Sequence, residues 1–315
     1  INYYKSKRND SDRYGYGGPS LFGNFLFILN TSFYPSPQTA GHVSKELSES
    51  ERKPLFQGLA KSKLIQKLVK VLSETDNRGD SILDDQLADE NGSEINAANA
   101  EKFAEKNISG QLEASKDYTG KDGKKRKSFS FSLDLKPGHQ ESRINKYRKE
   151  IVKQSKRFNI EPSIAMAITE TESNFNPKAT SHIPAYGLMQ LVPSSGARDA
   201  YKYVYDKDKF LGKRYLYNSD NNIELGCAYL AKIRYNYFKR IKDDEKAYMC
   251  SVAAYNTGIG NVAKALTGKG IINPATDEAN SMSSGKLYKT LRKDLKHKEA
   301  RDYLERVWTR KNKYQ

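Results

Sequence analysis

Apolar positions in this chain follow two different rhythms. In LFQGLAKSKLIQKLVKVLSE, Leu64, Leu68 and Leu72 recur every fourth residue with Ile65 and Val69 beside them, which predicts an amphipathic helix. KSFSFSLDL alternates strictly from Phe129 to Leu135, the period of a strand with one buried face. LFGNFLFIL predicts a single strand within an otherwise Tyr-, Gly-, Ser- and Asn-rich leader over 1–45. Pro137-Gly138 marks a break, after which helical patterns dominate. EPSIAMAITETE places Pro162 in a first turn, and SNFNP then ends that helix in an Asn-Pro turn. DNNIELGCAYLAKIRYNYFKR predicts a helix capped by Asp220 or Asn221. AYMCSVAAYN is almost wholly apolar and so should be buried. NVAKALTG ends at Gly268, and SSGKLYKTLRKDL and EARDYLERVWTRKNKYQ follow as further helices. The expected organisation is a leader over 1–45, a small α+β domain over 46–138 and a mainly α domain over 139–315.

Composition adds a charge asymmetry. Of 315 residues, 29% are charged, 37% are hydrophobic, and the formal charge is +16. Residues 1–140 carry 21 basic and 19 acidic side chains, whereas residues 141–315 carry 33 and 19. A surface of that sign favours a polyanionic partner: nucleic acid, an anionic membrane or a cell-wall polymer. The spacing of basic residues matches no nucleic-acid recognition motif. Cys227 and Cys250 sit in apolar runs without metal-ligand spacing, which predicts two buried thiols, with a disulfide between packed helices as the alternative. No apolar stretch reaches the length of a membrane span. The chain begins with Ile and shows no N-terminal cysteine for lipidation, so either such a segment was trimmed or it is missing.

The chemistry concentrates in TETESNFNPKATSHIPAYGLMQ. At 100° per residue, Glu172 stacks above Ile168 and Ile164, on the side its helix presents to the rest of the domain. Glu170 lies 200° away, over Ser163 and Met166, and reads as a solvated neighbour. An apolar setting and the negative end of the helix dipole would both raise the Glu172 pKa, as a general acid requires. Downstream, AYGLMQ brings a glycine between apolar residues and an amide, and AAYNTGIGNV runs a buried helix into an aromatic ring, an amide and two glycines. Neutral hydrogen-bonding groups and rings suit a sugar ligand. The glycine loop lacks a lysine and the phosphate-loop spacing.

RFNIEPSIAMAITETESNFNPKA, YGLMQ, AAYNTGIGNV and EARDYLERV, in this order over residues 139–315, resemble the lytic transglycosylases related to goose-type lysozyme, and most of all a membrane-bound type among them. The resemblance implies a lysozyme-like helical catalytic domain with a smaller N-terminal α+β domain. It implies Glu172 as catalytic acid and Tyr303, facing its carboxylate, as a second catalytic residue, with Ser173 after Glu172 in a structural or cleft role. It places Ser181, Met189, Gln190, Tyr255 and Asn256 against the sugar, and gives Gly187 and Glu299 structural or cleft roles. No cofactor or metal is implied. The partner would be peptidoglycan glycan strands, with peripheral or lipid-anchored contact at the periplasmic face of the outer membrane. Pro184-Ala185 stands where the commonest form of the motif has Gly-Ala, which bears on the loop path.

Ordinary glycosidases use two carboxylates. The resemblance implies that Glu172 acts alone, protonating the bond between N-acetylmuramic acid and N-acetylglucosamine, after which the muramic C6 hydroxyl closes onto C1 to leave a 1,6-anhydro end. A lysozyme-type hydrolase and a catalytically silent wall-binding protein are the alternatives.

Overall fold

The computed structural model describes residues 15–19, 25–33 and 49–315, apart from 115, 117, 120–122 and 124. The chain divides into two units, Ile1–Ser142 and Arg143–Gln315.

The first unit is a small sheet with helices. Strands β1 (Gly15–Pro19) and β2 (Phe25–Phe33) pair antiparallel. Helix α1 (Glu49–Leu72) and helix α2 (Ala100–Gln111) follow. Two short strands, β3 (Glu113–Ala114) and β4 (Tyr118–Thr119), lead into β5 (Lys125–Asp134), which pairs with both of them and with β2. The alternation of β5 turns Phe129, Phe131 and Leu133 into one core with Leu64, Leu68 and Leu72 of α1 and Ala104 and Ile108 of α2. The strand expected in LFGNFLFIL is shifted toward the C-terminus and is not isolated. It lies in the sheet, with Leu26 opposite Asp134 and Phe33 opposite Lys127. Apart from β1 and β2, the expected leader falls outside the described residues.

The second unit is helical. Helix α3 (His139–Arg157) runs across the division, and α4 (Pro162–Ser173) follows it. After a long loop come α5 (Gly196–Tyr205), the single-turn α6 (Lys213–Leu216) and α7 (Ser219–Lys232). The last is extended by a π-helical turn, Ile233–Tyr237. Then come α8 (Asp244–Thr257), α9 (Ile259–Thr267), α10 (Ile272–Ser281), α11 (Ser284–Asp294) and α12 (Lys298–Lys311), with a 3-10 turn over Asn312–Tyr314.

Helix α8 is the axis of this unit. Its residues Ala247 to Tyr255 are all buried, as the uninterrupted apolar run requires. Helices α7, α9, α11 and α12 pack around it, α4 packs on α12, and Ile164, Ile168, Leu225, Val262, Leu287 and Leu304 of these helices join one core. Two details differ from the sequence reading. The cap of α7 is Asn218, whose side chain accepts from the Asn221 amide. Helix α4 ends through Asn174, which adopts φ 51° and donates its amide to the Glu170 carbonyl. Cys227 and Cys250 are free and buried, and burial pushes both thiols up to about 12, which leaves them unreactive as nucleophiles.

Candidate active site

Helix α4 sets out the candidate acid. Pro162 occupies its first turn, and Ser163 to Thr169 are buried, so its axis is fixed by core packing. Glu172 emerges one turn later, half-buried. Loss of water around the carboxyl raises its pKa from 4.5 to about 8. The Tyr303 hydroxyl opposes that shift, the charge of Glu299 adds to it and the charge of Arg306 opposes it.

These three partners form one stripe of α12. Glu299, Tyr303 and Arg306 stand at spacings of four and three, on one helical face turned toward Glu172. Tyr303 is 1% exposed, and its hydroxyl has no hydrogen bond of standard geometry among the described residues, although it lies near enough to favour the Glu172 carboxylate. Burial and the neighbouring Glu172 hold its own pKa well above the ordinary tyrosine value. Glu299 is engaged elsewhere: it accepts from Asn256 Nδ2 at 3.2 Å and lies 3.7 Å from the Arg306 guanidinium.

The loop after α4 forms the other side of the site. Ser173 Oγ donates to the Leu188 carbonyl at 2.7 Å, which ties the residue beside Glu172 to the Gly187–Gln190 turn. Tyr186 and Leu191 exchange backbone hydrogen bonds of 3.1 Å in each direction and close that turn. Gln190 sits at φ 48°, a costly conformation for a residue with a side chain. Its Nε2 offsets the cost by donating to the Gly187 and Ala179 carbonyls at 2.8 and 3.0 Å. Its Oε1 is buried with no hydrogen-bond partner among the described residues. Asn222 of α7 holds three backbone groups of this region. It accepts from the Met189 amide at 2.7 Å and donates to the Tyr186 and Leu216 carbonyls, each at 2.8 Å. Tyr255 of α8 adds a fourth tie, its hydroxyl donating to the Met189 carbonyl at 2.9 Å.

The structure therefore brings Glu172, Tyr303, Asn256 and Glu299 together, and revises how several other residues act. Met189, expected on the wall of a sugar cleft, is fully buried because Gly226 leaves a notch for its thioether; a Cβ there would lie 2.2 Å from Sδ. Tyr255 and the amide nitrogen of Gln190 hold the loop backbone. Ser181 Oγ donates to the Ile183 carbonyl and accepts from the Ala185 amide at 3.2 Å. This small ring needs no amide from Pro184, so proline fits where the motif usually has glycine. Glu170 is not a solvated neighbour: its side chain is 10% exposed and ion-paired to Lys313 at 3.3 Å.

The reading from sequence missed Asn222 and Arg306. For Asn222 the signal was an amide on the face of α7 that also carries Gly226; for Arg306 it was the spacing of seven from Glu299. Among the described residues no group of three or more His, Cys, Asp or Glu side chains is arranged to hold a metal.

Residues 149–275, all within the helical unit, match the family described as Transglycosylase SLT domain. The match ends before α12, which supplies Glu299, Tyr303 and Arg306. Among curated proteins, the chain is 34% identical over 186 residues to membrane-bound lytic murein transglycosylase C of Klebsiella pneumoniae subsp. pneumoniae, covering 59% of this chain and 51% of the relative. The protein of the same name from Actinobacillus pleuropneumoniae serotype 5b is 34% identical over 233 residues, 73% of this chain and 61% of its own length. The chain thus spans about half of the first of these relatives and about three fifths of the second. A solved structure of lytic transglycosylase Slt from Pseudomonas aeruginosa is 26% identical and covers 53% of this chain and 24% of its own, with a TM-score of 0.41.

Proposed function

We propose that this protein cleaves the glycan strands of peptidoglycan by transglycosylation, with Glu172 as both acid and base. The observation that carries the reading is the Glu172 carboxyl itself, kept protonated up to about pH 8 by burial and faced by Tyr303. At neutral pH it holds the proton that a glycosidic oxygen must receive. The proton passes to the oxygen between N-acetylmuramic acid and N-acetylglucosamine, and the bond from that oxygen to C1 breaks. The muramic C6 hydroxyl then attacks C1 and returns its proton to the Glu172 carboxylate. The products are a 1,6-anhydro end and a new N-acetylglucosamine hydroxyl, with no water consumed. Because the nucleophile belongs to the same sugar, no second protein carboxylate is required. Tyr303 orients the carboxyl and stabilises charge near C1. Gln190 Oε1, a buried acceptor with no partner among the described residues, is suited to a sugar amide or hydroxyl donor.

One observation favours a second reading. Glu299 lies near enough for its charge to act on Glu172, and a hydrolase would use such a group to activate water. Its engagement with Asn256 and Arg306 argues against that role. Mass spectrometry of digested peptidoglycan separates the two, because the anhydro product is lighter than the hydrolytic one by one water. Reducing muramic ends as the main product would overturn the transglycosylase reading.

The cell envelope is the setting this substrate requires, and the names of the relatives, which call them membrane-bound, agree with it. Among the described residues no helix is long and apolar enough to cross a membrane. The charge excess of residues 141–315 suits a wall polymer whose stem peptides carry carboxylates. Raising salt from about 0.05 to 0.5 M should therefore weaken binding to whole sacculi about tenfold while changing turnover of short glycan fragments less than twofold. Equal effects in a pelleting assay and a fragment assay would remove the electrostatic account.

A further inference from the structure

Glu170 and Tyr314 form a contact that neither the family match nor the mechanism above uses. Tyr314 donates its hydroxyl to Glu170 Oε2 at 2.7 Å, two residues before Glu172. Its ring meets Phe175 edge-on with centroids 6.5 Å apart, three residues after Glu172. One side chain thus grips the chain on both sides of the candidate acid. Two cations reinforce the grip on the same helical turn. Lys313 Nζ lies 3.3 Å from Glu170 Oε1, and Arg310 donates to Thr171 Oγ1 at 2.8 Å. The span that is gripped contains two successive residues at positive φ, Asn174 at 51° and Phe175 at 58°. Such a turn needs outside contacts to hold it.

We propose that Glu170 and Tyr314 are positioning residues for the cleavage reaction. Together they clasp the last turn of α4 so that the Glu172 carboxyl stays aimed at the Tyr303 face of α12 and shielded from water. This rests on Glu172 being the acid. Glu170 lies on a different face of α4 from Glu172, and Tyr314 bonds to it there. Glu170 points away from the reacting side, where Arg310 and Lys313 neutralise it. The charged and titratable groups that act on the Glu172 side are Glu299, Tyr303 and Arg306 of α12 and Tyr255 of α8.

Tyr314→Phe keeps the ring and removes the hydroxyl without changing charge, and Glu170→Ala removes the acceptor. Each should lower kcat on soluble glycan fragments about tenfold with KM within about twofold. Each should also move the alkaline limb of the kcat profile to lower pH, because a looser turn admits water to Glu172. Glu170→Gln keeps a carbonyl that accepts from Tyr314, and should recover kcat to within about threefold of the parent. Wild-type kcat and an unmoved alkaline limb in both Y314F and E170A would overturn the proposal, even if both melt at lower temperature, since that pattern describes a merely structural contact. The same outcome beside an inactive Glu172→Gln control would leave Glu172 as the acid and remove only the clasp. Retained activity in that control would remove both.

Discussion

Glu172→Gln should reduce the proposed cleavage of peptidoglycan by at least about a thousandfold while leaving the fold intact. Glutamine is nearly isosteric but has no acidic proton to give the glycosidic oxygen and no basic oxygen to take one from the C6 hydroxyl, and general acid-base groups typically contribute about a hundredfold to ten-thousandfold. The same substitution has a second expected consequence. Burial raises the carboxyl from 4.5 to about 8, so between those two pH values the unfolded chain releases a proton that the folded chain keeps. Ionisation therefore favours unfolding, and the stability of the parent falls as pH rises through that window. E172Q does not titrate. It should exceed the parent in stability by about 2 kcal/mol at pH 8, a figure reduced because the side chain is only partly buried, with the gap closing toward pH 4.5. Thermal melts at pH 5 and pH 8 read this directly. An identical Tm difference at both pH values would mean that the carboxyl is not held in the low-water setting on which the mechanism depends.

Gly187→Ala should be the most damaging small change in the loop. Gly187 has φ 80°, and a Cβ added there would lie 2.3 Å from Asn222 Nδ2 and 2.4 Å from the Leu216 carbonyl oxygen. Neither atom is the free end of a flexible chain. One belongs to an amide already bonded to three backbone groups, and the other is backbone. Relief requires moving the loop from α7, which breaks the ties to Met189 and Tyr186 and shifts the Ser173–Leu188 bond beside Glu172. A loss of about 4 kcal/mol follows from strain at a left-handed position together with broken buried hydrogen bonds, or roughly 8 to 15 °C in Tm for a unit of this size. Gly212→Ala is the control: that position has ordinary φ and open space, and should change Tm by less than about 2 °C. Comparable losses in both would show that the close approach to Asn222 is not the cause.

Much of the helical unit was legible because its periodicities are strong. AYMCSVAAY is apolar all round and could only be the central helix, and Ile164, Ile168 and Glu172 share a face by rotation alone. The separation of Glu170 from Glu172 followed from the same geometry. The partners of each carboxylate did not, because they come from α12 and the turn after it, more than a hundred residues away. A rule that reads exposed charge from local pattern assigned Glu170 to solvent, whereas Tyr314 and Lys313 cover it. The resemblance located the loop residues but could not tell a side chain that faces a ligand from one that holds the loop. Met189 shows why: its burial depends on the absence of a Cβ at Gly226, 37 positions later. Asn222 was invisible for a similar reason, since its three bonds go to backbone groups, which leave no trace in the residues they belong to.

The ring closed by Ser181 and Ala185 has a consequence for how this protein can diversify. His182, Ile183 and Pro184 stand above the ring, all exposed, with Ile183 at 63%. The hydrogen bonds that shape the ring use the Ser181 hydroxyl, the Ala185 backbone and the Ile183 carbonyl, none of which depends on the identity of those three side chains. Below it, from Gly187 to Gln190, nearly every polar backbone group is already bound to a particular partner. Mutational freedom is therefore layered: a tip open to almost any side chain stands on a base that tolerates almost none. A lineage, or an engineered library, can search new contacts at positions 182–184 without disturbing Glu172, the proposed acid.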